Sequence, residues 1–302
     1  MAKIKEQNKV KHSFSDKALN TILLIIVTIF MLIVFYPLIY IVSSSFSSGR
    51  AVTAGRVLLW PVDFSLDGYE IVFKNAAVWK GYLNTIIYAL LGSLLHVTMT
   101  ILVAYPLSRK DFQGRGIVTT LFMIIMFFNG GLIPQYILVS GLGLTDTRLW
   151  IILSGAISTS HIIIMRTFFQ TSIPEELLES AKLDGITDFK YLLKIVIPLS
   201  KASIAVILLY SMVAHWNSYF TPMIYLSDRS KYPLQLILRE ILNASKVDAS
   251  QIADSSVLAK LAGASDVMKY ALIVVSTVPM LVIYPFVQKF FEKGVMIGSV
   301  KG

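Results

Sequence analysis

The chain has no cysteine, which excludes disulfides, thiolate metal sites and a cysteine nucleophile. Charge is also scarce. Asp, Glu, Lys and Arg make up 15% of 302 residues, whereas soluble domains carry about a quarter. Three catalytic signatures are missing: a Gly-x-x-x-x-Gly-Lys-Ser/Thr phosphate loop, a His-Glu-x-x-His metal motif and a Gly-x-Ser-x-Gly nucleophile turn. Ser160 and His161 are helix neighbours whose side chains diverge by about 100°, so they form no catalytic pair. The chain therefore neither hydrolyses ATP itself nor reads as an intramembrane protease.

What is abundant is apolar residue: 55% of the chain, with a mean hydropathy of +0.70. Crossing about 30 Å of hydrocarbon needs roughly 20 apolar residues in a helix. Six stretches qualify, Leu19–Val42, Tyr82–Ala104, Ile117–Val139, Leu149–Phe168, Ser203–Leu226 and Tyr270–Phe291. Their apolarity is continuous, without the period-2 alternation of barrel strands, so an all-α membrane protein of six transmembrane helices is expected. These runs hold essentially no Asp or Glu, and there is no internal repeat. Both facts argue against a proton- or sodium-coupled secondary transporter or a channel.

The formal charge of +9 fits a membrane surface better than nucleic acid, because no basic helix with interleaved aromatics stands apart from the spans. Six spans put both termini on one side. The polar tail 1–18 carries Lys3, Lys5, Lys9, Lys11 and Lys17, and no cleavage site follows, so the first span is expected to be retained. Further basic residues, including Arg109, Lys110, Arg115, Lys182, Lys190 and Lys194, fall between alternate spans. The bias points to both termini in the cytoplasm. Residues 19–302 then form one six-span domain. Outside, Pro233 to Glu240 reads as a short surface helix, and Trp60 and Trp79 read as interfacial anchors.

The informative segment is the inner loop 172–198. Ser172 is placed to cap a helix with Pro174 in its first turn. Glu175 and Glu176 sit where the positive end of the helix dipole favours carboxylates. Leu177, Leu178, Ala181 and Leu183 give an apolar stripe, and Gly185 suits a left-handed stop. A second amphipathic helix is expected from Thr187 until Pro198 breaks it at the membrane entry. Two readings fit these residues: a helix lying in headgroups, or a docking helix for a cytoplasmic partner. The acidic first turn argues for a basic protein groove over anionic lipid.

The spacing resembles the EAA loop of bacterial ABC importer permeases. Glu179-Ser180-Ala181 is followed after three residues by Gly185, and after nine more by Ile195-Val196-Ile197-Pro198. Ser180 stands where the family has alanine, and Ile197 where it has leucine. The resemblance implies a type I importer fold in which the helix Glu175–Asp184 couples to an ATPase. It gives Glu179 a basic partner, has Ala181 and Gly185 allow close approach, and has Pro198 relay movement to the fifth span. Asn129-Gly130-Gly131-Leu132-Ile133-Pro134, His215-Trp216-Asn217 and the tail with Gly294 and Gly298-Ser299-Val300-Lys301-Gly302 extend the likeness to carbohydrate permeases of the maltose kind, nearest those served by a lipid-anchored binding protein. Two ATPase copies using ATP and Mg, a second permease subunit and an extracytoplasmic lipoprotein that binds sugar are the implied partners. No cofactor is expected on this chain, and a bacterial cell membrane is the implied location. A permease of the same kind for a non-sugar cargo shares the loop and stays open.

Sugars are held by amides and aromatic faces, and an idle polar group is expensive in mid-membrane. Asn84, His96, Asn129, His161, His215, Trp216, Asn217 and Tyr219 are the candidates. Asn129, Trp216, Asn217 and Tyr219 are the expected pathway residues by type, with Asn129 at an expected helix break. Interhelical bonding is the competing role for each.

Overall fold

A computed structural model describes residues 14–128, 130–244 and 255–299. The described residues are helical apart from turns and one isolated bridge, Ser47 with Phe64. In order the helices are α1 (Phe14–Ser45), α2 (Gly49–Thr53), α3 (Asp67–Lys74), α4 (Ala76–Ser108), α5 (Arg115–Phe127), α6 (Leu132–Gly141), α7 (Arg148–Leu153) and α8 (Thr159–Ser172). Then come α9 (Glu175–Leu183), α10 (Asp188–Tyr191), a π-helical turn Leu192–Val196, α11 (Ile197–Leu199), α12 (Lys201–Trp216), α13 (Phe220–Tyr225), α14 (Leu234–Ala244) and α15 (Ser255–Ser299).

Two compact units are distinguished, Met1–Glu70 with Ala249–Val274 and Ile71–Asp248 with Val275–Gly302. In the first, Ala51, Val52, Val57 and Val267 form a small core, and Tyr40 meets Tyr270 edge-on at 5.7 Å. Gly49 and Gly263 touch backbone to backbone, a contact that any side chain would open. Within the described residues of this unit, the Leu, Ile and Phe side chains along the apolar length of α1 are exposed.

In the second unit α4 is the central post, with α8 and α12 packed along it. Its buried residues recur at helical spacing (Gly81, Asn84, Tyr88, Gly92, His96, Thr100, Ala104), and many are small, which lets helices approach without a hydrophobic drive.

Among the described residues, three single helices are long and apolar enough to cross a membrane, and two bent helix pairs meet the same test together. The expected run Leu149–Phe168 differs: it is two helices, α7 and α8, separated by Ser154–Ser158. Ser154 and Gly155 are weak helix formers, and a polar neighbour takes up the carbonyl freed there, as described below. The run Ile117–Val139 is likewise interrupted between Phe127 and Leu132. Gly131 precedes α6 at φ +83°, and Pro134 falls in the first turn, where its missing N–H costs nothing. Asn129 lies outside the described residues.

Candidate functional site

The loop expected to couple forms the helix its residues call for, with one shift at each end. α8 continues through Ser172, so Pro174 (φ −60°, ψ 142°), not Ser172, is the N-cap of α9. At the other end Asp184 is the C-cap and Gly185 takes φ +72°. The Gly185 N–H donates to the Lys182 carbonyl (3.1 Å), and the Ile186 N–H donates to that of Ala181 (2.9 Å). This paired closure needs the left-handed residue that glycine supplies.

α9 has two unlike faces. Ala181 is its one buried residue; with Leu178, Ile173 and Ile186 it joins the apolar cluster of Ile101, Met165, Phe169, Tyr191 and Val196. The small side chain of Ala181 therefore serves the approach of α9 to its own bundle. Glu175, Glu176, Glu179, Ser180 and Asp184 are exposed, and Leu183 is 90% exposed. No described basic group pairs with Glu179.

Charges at the end of α4 pin the loop. The Arg109 guanidinium forks onto Asp111 (3.1 and 2.7 Å), lies 3.6 Å from Asp188 and donates to the Tyr105 hydroxyl (3.2 Å). Asp111 also takes Lys182 at 3.3 Å, and Lys110 pairs with Glu175. Both turns of α9 are thus tied to residues 109–111. The fork from Arg109 holds the Asp111 carboxyl well below its usual range, and Glu175 raises the Lys110 ammonium. Between these groups, Phe169, Gln170 and α9 lies a cavity of about 660 Å³. Sequence reasoning missed this anchorage; its signal was the mixed triplet Arg109-Lys110-Asp111 directly after an apolar run.

Beyond α9, Thr187 caps α10 through the Lys190 N–H, and the chain passes through the π turn. Pro198 does not break the helix. The π turn has already moved the pairing, with the Ile197 N–H donating to the Leu192 carbonyl, so the proline fits within α11. The break comes at Ser200, where Asp188–Leu199 and Lys201–Trp216 meet at 82°.

The intramembrane polar residues divide. His96 donates from Nδ1 to the Gly155 carbonyl (2.8 Å), so its Nε2 accepts from Nδ1 of His161 (2.8 Å). His215 donates to the Ser211 carbonyl (2.8 Å), and its ring fills the space that Gly92 and Gly155 leave open. Asn84 donates to the carbonyls of Ser230 (2.8 Å) and Tyr232 (3.0 Å). Trp216 is 4% exposed and donates to the Ser276 carbonyl (3.0 Å), with Tyr82 edge-on at 6.0 Å. All of these are contacts within this chain, and the buried Trp216 ring has no open face for stacking. Asn217, the C-cap of α12, and Tyr219 are exposed.

A second polar cluster joins residues 146 and 227–234. Asp146 (φ +53°) accepts from the Ser227 (3.1 Å) and Asp228 (3.0 Å) N–H groups and from Lys231 (2.9 Å). The backbone bond from Asp228 and the Lys231 ammonium lower its carboxyl. The expected surface helix is present as α14.

With this geometry in view, comparison with known proteins decides the family. Residues 97–297 match the family described as the binding-protein-dependent transport system inner membrane component. The chain belongs to that family. It is 39% identical over 276 residues to the polygalacturonan/rhamnogalacturonan transport system permease protein of Bacillus subtilis (strain 168), covering 90% of this chain and 94% of that one. It is 27% identical over 245 residues to the arabinooligosaccharides transport system permease protein AraQ of the same organism, covering 80% and 81%. A crystal structure of a bacterial ABC transporter involved in the import of the acidic polysaccharide alginate contains a chain that matches with a TM-score of 0.85 at 34% identity, over 94% of this chain and 100% of that one. The family is one of transporter permease subunits, and this chain is a multi-pass membrane protein of the type I ABC permease fold.

Proposed function

We propose that this chain is the transmembrane permease subunit of an ATP-driven importer that carries a carbohydrate, specifically an oligosaccharide, into a bacterial cytoplasm. Relatives whose names cite polygalacturonan, arabinooligosaccharides and diacetylchitobiose support the cargo class. The observation that carries the coupling role is the exposed face of α9, where Glu179 and Leu183 have no partners among the described residues, on a helix pinned at both turns.

In this reading six crossings form the domain, with α7 and α8 together making the fourth and both termini in the cytoplasm. The loop 172–198 docks on one of two ATPase copies, which use ATP and Mg; this chain binds no cofactor. Glu175, Glu179, Ser180, Asp184 and Gly185 form or frame the docking surface, Ala181 seats it, and Pro198 passes its movement to α12. A second permease chain completes the pathway, and an extracytoplasmic lipoprotein delivers the sugar. Asn217 and Tyr219 face the pathway, with Trp216 behind them and Asn129 a further candidate.

The test is ATP hydrolysis by the complex in lipid nanodiscs, with the binding protein and a panel of oligosaccharides. Glu179→Arg and Leu183→Asp are expected to lose the ATPase on co-purification while the permease keeps its melting temperature. Retention of a fully stimulated ATPase by both variants would sink the coupling assignment; stimulation by non-sugar cargo alone would sink the carbohydrate assignment.

A further inference from the structure

The segment 227–243 carries three cations, and two are committed. Arg229 bonds Glu240 (3.1 and 3.0 Å), and Lys231 bonds Asp146 (2.9 Å) with Asp228 at 3.5 Å. Arg239 has no carboxylate partner among the described residues. It is exposed, and its guanidinium carbon lies over the Tyr219 ring, 4.7 Å from the centroid. Stacking occupies the π-face of a guanidinium and leaves its in-plane N–H donors free.

The platform is rigid. On α14, Leu234, Leu236 and Ile237 are buried against α4, and Ile237 enters the space above Gly81, where a Cβ would stand 2.5 Å from its Cδ1. The Leu234 N–H is held by the Thr85 hydroxyl at 2.8 Å. Arg239 follows Ile237 by two residues, about 200° round the helix, so it points away from that contact. Tyr219 and the exposed amide of Asn217 come from the end of α12.

We propose that Arg239, held on Tyr219, is a subsite that reads the carboxylate of an acidic sugar residue during passage. This rests on the carbohydrate reading above and narrows it to uronate-bearing cargo. A planar fork of free donors matches a carboxylate bidentately. Tyr219 and Asn217, both exposed and two residues apart in the chain, carry a hydroxyl and an amide of the kind that bond sugar hydroxyls; an acidic patch on a docking protein needs neither.

The experiment measures cargo-stimulated ATP hydrolysis by the whole complex with its binding protein. Short oligogalacturonates are compared with their methyl esters, which keep the sugar but lose the charge. Arg239→Gln is expected to raise the half-maximal oligogalacturonate concentration about tenfold or more and to leave the ester unchanged. Arg239→Lys, which keeps charge without the fork, is expected to recover only part. If Arg239→Gln weakens both cargoes equally, the arginine meets the binding protein and the subsite is overturned. If it changes neither, the subsite is likewise overturned. If wild type responds to no carbohydrate, the carbohydrate reading itself fails.

Discussion

His96 on α4 donates from Nδ1 to the main-chain carbonyl of Gly155 across 2.8 Å, at the place where α7 and α8 part. An interrupted helix in a membrane exposes carbonyls that no water reaches, and each needs a partner from the protein. The bond also sets the His96 tautomer, and through Nε2 it fixes His161. Removing the donor leaves the carbonyl idle, at a cost of about 1–3 kcal/mol. His96→Leu is therefore expected to lower the melting temperature of the purified complex by several degrees, and His96→Asn by less. Equal melting of all three proteins would show that the break is stable without the histidine.

Gly92 is dictated by its neighbour. A methyl there would stand 2.3 Å from Nε2 of His215. Gly92→Ala is expected to destabilise by about 1–3 kcal/mol through overpacking. His215→Ala in the same chain should recover part of that loss, since contacting sites couple. Strict additivity in a double-mutant cycle would contradict the contact.

Gly185 is required for a different reason, because a Cβ at this position meets nothing within 4 Å while φ is +72°. Substitution strains the backbone without a clash. Gly185→Val is expected to cost about 1–3 kcal/mol in the stability of α9, and Gly185→Asn distinctly less, since Asn tolerates the left-handed region. Hydrogen exchange over 175–186 separates the variants; equal protection in both would remove the conformational argument.

The Arg109–Asp111 pair has a defined pH signature. The fork lowers the folded Asp111 carboxyl below its unfolded value, so its contribution is complete above the unfolded pKa and fades as pH falls through the folded one. Between pH 5 and 8 it should not vary. Melting followed into the acid range is expected to show an added loss below about pH 4 that Asp111→Asn abolishes. Because Asp111 is largely exposed, high salt should reduce the difference.

The ends of α9 show how far local chemistry reaches. Glu175, Glu176 and Gly185 place a short helix and its stop, and both appear as expected. Ser172 and Pro198 do not act as the expected boundaries. α8 outran the first, and a π turn absorbed the second, because packing against the α4–α8–α12 bundle overrides a single cap or proline.

Sequence alone determined the class and the kin of this protein. Continuous apolar length needs no partner to be read, since it follows from the thickness of the bilayer, and the Glu179 to Pro198 spacing is a property of one segment. Only the tertiary structure decided which polar residues are spent within the chain and which are left free. Trp216, Asn84 and the three histidines bond carbonyls and rings up to 148 residues away, whereas Asn217, Tyr219 and Arg239 stay exposed. A buried polar group must find a partner, and that partner is chosen by which helices lie side by side, a relation that no single stretch of sequence contains.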